Sequence, residues 1–162
     1  MAGLAAAALP LTGAGGLAMP DSLLSALIGQ ELGSVVFVRD YLQLDFDGPR
    51  LTLFVWPQVS VDSTVHSMGD PGYRDTLCAL IGHTVLTTAE SPDAGLVVGF
   101  GRGSVTLKPE PSHLEGLEIA MLGGFTDRED WMVWRPDEYP FDAPKRPLHL
   151  YPARSPAFPD QR

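Results

Sequence analysis

The chain carries four histidines, His66, His83, His113 and His149, and one cysteine, Cys78. No two histidines share a short metal-ligating spacing, and no cysteine pair supports them. His83 is the most tempting, because it follows a helix end close to Cys78. A thiol beside an imidazole base is the arrangement of an activated nucleophile. Against that, Cys78 lies between Leu77 and Ala79 and has Ser25 as its counterpart 53 residues earlier. A small buried residue is the default reading of a free cysteine, and reactive thiols need an exposed, electropositive setting. His83 reads equally as a polar residue at a helix-to-strand junction. No catalytic residue, no metal site and no cofactor is expected.

The stretch Gly99-Phe100-Gly101-Arg102-Gly103-Ser104 is glycine-rich in the manner of a phosphate loop. It lacks the lysine and the following helix that such a loop needs. Its counterpart earlier in the chain is Asp47-Gly48-Pro49, so a hairpin turn explains both.

The acidic residues are more informative. Between Glu110 and Asp142 nine acids are opposed only by Arg128 and Arg135. A charge run is ordinarily a solvated face. Here Trp131, Trp134, Tyr139 and Phe141 lie beside it, and exposed Trp and Tyr are favoured interface anchors. Trp131 and Trp134 are three apart, so on a strand they point to opposite faces, one toward the core and one outward. The expected binding residues are Glu115, Glu118, Glu129, Asp130, Trp131, Trp134 and Tyr139. Glu115 and Glu118 also have the chemistry of a carboxylate pair for acid/base work, but nothing near them specifies a substrate.

The elements that must position these residues follow from an internal echo. Ala26-Leu27-Ile28-Gly29 returns as Ala79-Leu80-Ile81-Gly82. Leu42 to Phe46 matches Leu96 to Phe100, and Leu51-Thr52-Leu53 matches Val105-Thr106-Leu107. A repeat of this length predicts two copies of one unit. In the first copy Asp21 is a candidate cap, Leu23, Leu24, Leu27 and Ile28 form a helical stripe, and Gly29 stops it. In the second, Asp70 caps, Pro71 suits the first turn, Tyr73, Leu77, Leu80 and Ile81 form the stripe, and Gly82 ends it. Alternating segments follow at 32–38, 41–46 and 51–56, and again at 84–89, 96–100 and 104–107. Two more strands are expected at 117–122 and 131–134.

The predicted fold is mainly β (α+β). Two helix-β-β-β units pack as an antiparallel sandwich or a partly open barrel, with a C-terminal β-hairpin and a Pro-rich tail. Residues 1–20 form an Ala/Gly-rich leader expected to be flexible. Residues 21–142 form one domain, built from repeats 21–57 and 70–109 with strands in 115–135. Residues 143–162 form the tail; seven prolines from Pro136 onward exclude central strands there.

The bulk composition bounds the partners. Twenty acidic residues stand against 11 basic ones, a net charge of -9. Nucleic acid is excluded as an expected partner, because phosphates need a basic surface. No apolar run approaches the ~20 residues that span a bilayer, and a single cysteine suits a reducing compartment. A cytoplasmic location is expected.

The pattern Tyr73-Arg74-Asp75-Thr76-Leu77-Cys78-Ala79-Leu80-Ile81-Gly82, a Gly-Leu-x-Val-x-Phe strand, Glu118, and then Val133-Trp134-Arg135-Pro136 resembles a family of small bacterial proteins of no known activity. The resemblance spans roughly residues 23–141 and carries no catalytic residue to transfer. By analogy it implies a partner of toxins or secreted effectors. The leading expectation is thus a non-enzymatic protein-binding module, an immunity or accessory factor for another protein, including a basic one. Two alternatives stand beside it. One is a structural or assembly subunit that forms homo-oligomers through edge strands. The other is an enzyme or small-ligand binder using a cleft between the copies, lined by Tyr73, His83, Glu115 and Glu118.

Overall fold

The structure, a computed structural model, describes residues 22–113 and 116–141. The leader, Glu115 and the tail 143–162 lie outside the described residues. Asp21, the expected cap, also lies outside them; Ser22 caps the first described segment, its hydroxyl accepting from the Leu24 N–H at 3.3 Å. The segment it caps, Leu23–Leu27, is a 3-10 helix. A five-residue segment closed by Gly29 at φ +88° is too short for α-helical bonds to propagate. The second copy of the echo does contain an α-helix, α1 (Tyr73–Cys78). Its N-cap is Gly72 in the left-handed region, not Asp70, whose carboxylate instead accepts from the Ser67 N–H at 2.7 Å.

The described residues form ten strands, eight of them at the expected segments. They are β1 (Ser34–Phe37), β2 (Leu42–Asp45), β3 (Arg50–Leu53), β4 (Gln58–Val61), β5 (Thr64–His66), β6 (Val85–Ser91), β7 (Gly95–Phe100), β8 (Gly103–Leu107), β9 (Ala120–Gly123) and β10 (Met132–Trp134). They form two antiparallel five-stranded sheets, in the orders β1-β2-β3-β9-β10 and β5-β4-β8-β7-β6. Neither sheet closes into a barrel, and apolar residues of both share one core. From the first sheet Leu42, Leu44, Leu51, Leu53, Leu122 and Trp134 point into it; Val59, Leu96, Val98, Val105 and Leu107 enter from the second.

Each sheet is a three-stranded meander extended by a hairpin from elsewhere in the chain. β4 and β5 follow the first meander but pair with β8, in the other sheet. β9 and β10 follow the second meander and pair with β3. Two connections, 54–57 and 108–119, therefore cross between the sheets, and both leave from the same end of the strands. The predicted third strand 51–56 stops at Leu53 because the chain turns there toward Pro57, which cannot donate to a ladder. Tyr73 fixes this crossing: its hydroxyl donates to the Pro57 carbonyl at 2.6 Å, and the ring is 2 % exposed. Burial pushes the Tyr73 phenol well above its usual range.

Positions 53 apart occupy matching places where the two halves meet. The Gly29 N–H donates to the Val85 carbonyl at 2.9 Å, and the Gly82 N–H to the Leu32 carbonyl at 2.8 Å. Leu32 N–H to the His83 carbonyl and Val85 N–H to the Gln30 carbonyl form the same matched pair. Glu31 and Thr84 bridge between them. Leu24 and Leu77, Leu27 and Leu80, and Leu32 and Val85 are all buried there. These junction positions are leucine and valine, and Tyr73, in the same core, bonds to Pro57 through its hydroxyl.

Candidate functional site

The expected binding residues fall into two groups at opposite ends of the strands. Glu129, Asp130 and Trp131 lie in the connection between β9 and β10, all exposed. That connection leaves β9 through Gly124, at φ +83°, where a Cβ would stand 2.8 Å from the Gly48 carbonyl oxygen. Only glycine fits this contact with the β2–β3 turn. Trp131 precedes β10 and lies beside Gly123, where a Cβ would stand in contact with the Trp131 Cβ at 3.4 Å. The indole is 67 % exposed. It lines a cleft of about 540 Å³ between the connection and the 3-10 helix, with Ser22, Ser25, Arg128, Asp130 and Met132. Arg128 is half committed: its guanidinium lies 5.7 Å over the Phe125 ring and 3.9 Å from the Asp127 carboxylate.

Trp134 and Tyr139 meet at the other end, around Glu90 on β6. Trp134 is 1 % exposed and sits opposite Ala120, on the core face. The three-residue spacing of the tryptophans thus separates one inward from one outward, and Trp134 presents no surface to a partner. Its indole N–H donates to Glu90 Oε1 at 2.8 Å, tying the edge of one sheet to the edge of the other. Among the described residues Glu90 Oε2 is buried without a hydrogen-bond partner. The Tyr139 hydroxyl donates to the Glu90 backbone carbonyl at 3.0 Å, leaving the side chain 37 % exposed. Glu118, half-buried, directly precedes Ile119, whose N–H donates to the Trp134 carbonyl at 2.8 Å. The six described residues, Glu115 lying outside the described residues, are therefore not one surface: Glu129, Asp130 and Trp131 are together, and Trp134, Tyr139 and Glu118 belong to the opposite end.

Cys78 is exposed at the last residue of α1, not buried as the apolar flanks predict, since Leu77 and Leu80 take the inward positions. Among the described residues no three His, Cys, Asp or Glu side chains group as metal ligands. The Gly101-Arg102 turn holds an ion pair with Asp62 of the β4–β5 turn, Nη2 to Oδ2 at 3.0 Å. Hydrogen bonding by Arg102 holds the Asp62 carboxyl below its usual range. A Cβ at Gly103 would collide with the Ser60 carbonyl oxygen, so this glycine serves sheet packing and not phosphate.

A groove of about 900 Å³ opens where the chain crosses between sheets, lined by Phe54, Trp56, Met68, Pro109, Glu110 and His113 among others. Trp56-Pro57 was its signal, an aromatic and a strand-breaker side by side. No helix of the described residues is long and apolar enough to cross a membrane. Comparison of the chain with protein-family models, with curated proteins and with solved structures finds no match.

Proposed function

We propose that the protein is a non-enzymatic binding module that holds another polypeptide at the Trp131 cleft. The observation that carries this reading is a tryptophan 67 % exposed at the mouth of a cleft, beside the acidic pair Glu129 and Asp130. Leaving an indole in water forgoes on the order of 2 kcal/mol of burial, and tryptophan buried at an interface is a frequent hot spot. The carboxylates select a basic partner and speed its approach, an effect that weakens with salt. An immunity or accessory role in the cytoplasm, as the sequence resemblance implies, belongs to the same reading. So does the descent of the two halves from one duplicated unit, supported by the matched bonds of Gly29 and Gly82.

The test is affinity capture from native lysate at low salt, with the wild-type chain and Trp131→Ala side by side. A protein retained by the first and lost from the second is the expected result. Equal retention by both, or none by either, removes the proposal.

A further inference from the structure

We propose that the crossover groove binds a neutral saccharide, at a site separate from the Trp131 cleft. The groove runs over the outer face of the second sheet. Val59 and Val105 point into the core, so their neighbours Gln58 on β4 and Thr106 on β8 point the other way. These two are register partners, and the Gln58 amide donates to the Ser67 hydroxyl at 3.2 Å. An amide and two hydroxyls thus form a row across β8, β4 and the residue after β5, roughly 10 Å long at one strand spacing per step. Phe54 and Trp56, half-buried on the first crossing, border the same groove and supply aromatic surface. The Phe54 ring is backed by Tyr41, with ring centroids 6.0 Å apart.

The charges around the groove do not select an ion. Glu110 is the one carboxylate among the described lining residues, and the Lys108 ammonium already donates to the Asp93 carbonyl. What remains is aromatic surface beside neutral groups that both donate and accept hydrogen bonds. A sugar ring has the complementary chemistry. Its C–H face is apolar and lies on an aromatic ring, while each of its hydroxyls donates and accepts, as Gln, Ser and Thr side chains do. A volume of about 900 Å³ is that of a small-molecule site.

The sheet topology argues against an extended peptide as the occupant. Such a peptide gains its main-chain hydrogen bonds by adding to a free strand edge. β4 lies between β5 and β8, and β8 between β4 and β7, so the strands that carry Gln58 and Thr106 are paired on both sides. Recognition in the groove therefore falls to side chains, which suits a ligand whose own polar groups are hydroxyls.

The experiment titrates the full-length chain by calorimetry with cellotetraose, maltotetraose, mannotetraose and acetylated chitotetraose, and with trigalacturonate as an anionic control. At least one neutral oligosaccharide is expected to bind with a Kd below about 1 mM, and trigalacturonate is expected not to bind. Gln58→Ala is expected to weaken that binding roughly threefold or more, and Trp56→Ala roughly tenfold. Gln58 is exposed and lies outside the core, so its variant decides the test if Trp56→Ala does not fold. Absence of binding by all four sugars at about 10 mM overturns the proposal. So does equal binding of trigalacturonate, or binding that Gln58→Ala leaves unchanged. Trp131→Ala is expected to bind the sugar as wild type does; loss of the sugar from that variant would put it in the other cleft and overturn the proposal. The outcome is thus independent of whether a protein partner is captured at Trp131.

Discussion

At the scale of single residues, the two tryptophans separate surface from core. Trp134→Ala removes a side chain 1 % exposed and unpairs Glu90, and is expected to cost about 3–5 kcal/mol in denaturant unfolding. Trp131→Ala, at a side chain 67 % exposed, is expected to stay within about 0.5 kcal/mol. Glu90 offers a finer comparison. Glu90→Gln keeps an oxygen for the Trp134 N–H and removes charge from the buried Oε2, so it is expected to be nearly neutral. Glu90→Ala strands the indole N–H and is expected to cost about 1–3 kcal/mol. Tyr73 sets a pH dependence. Its folded pKa is raised by burial above the ordinary value of 10.0, so its contribution is full below that pH. Above it the unfolded chain releases the proton and the folded chain keeps it, and stability falls by at most about 1.4 kcal/mol per pH unit. Tyr73→Phe is expected to flatten this alkaline loss in pH-dependent unfolding, at the expense of an unsatisfied Pro57 carbonyl.

At the scale of elements, the matched positions make a paired prediction. Gly29 and Gly82, at φ +88° and +85°, make matched backbone bonds across the junction, although α1 stops at Cys78 with Ala79 as its cap and not at Gly82, and neither glycine has an atom within 4 Å of a built Cβ. Alanine at either position is strained by backbone alone, at about 1–2 kcal/mol. Gly29→Ala and Gly82→Ala are therefore expected to lower unfolding midpoints by similar amounts; a large difference would argue against equivalent roles. These glycines were legible in the sequence because a helical stripe ran into each and an alternating strand followed. The same alternation marks six of the ten strands, and two more, β9 and β10, fall at the further segments 117–122 and 131–134. The hairpin of β4 and β5 was missed for a local reason. Its turn uses Asp62 and Ser63 at φ +49° and +68°, without the glycine that usually marks such a turn. Its second strand is three residues long and mostly exposed, so no apolar face announces it. The first helix was misread in type because Leu24 and Leu27 are three apart, a spacing that α and 3-10 helices both satisfy.

At the scale of the whole molecule, periodicity reports which face of a strand is buried but not which sheet the strand joins. Leu51 and Leu53 reveal β3 as half-buried; nothing in them shows that its outer neighbour will be β9, some 70 residues later. That pairing separates Trp131 from Trp134 and places the acidic connection beside the 3-10 helix. It also creates the crossover groove at the opposite end, so one chain presents two clefts of different chemistry. The acidic run was legible as composition, yet only Glu129 and Asp130 of the expected acids border the exposed tryptophan. The central claim is that the Trp131 cleft, and not the crossover groove, holds the protein partner. Capture from native lysate with Trp131→Ala and Met68→Lys in parallel tests it most directly. The partner is expected to be lost from Trp131→Ala, retained by Met68→Lys, and released as salt rises past roughly 0.15 M, where the Debye length falls to about 8 Å. Retention by Trp131→Ala together with loss from Met68→Lys would contradict the account.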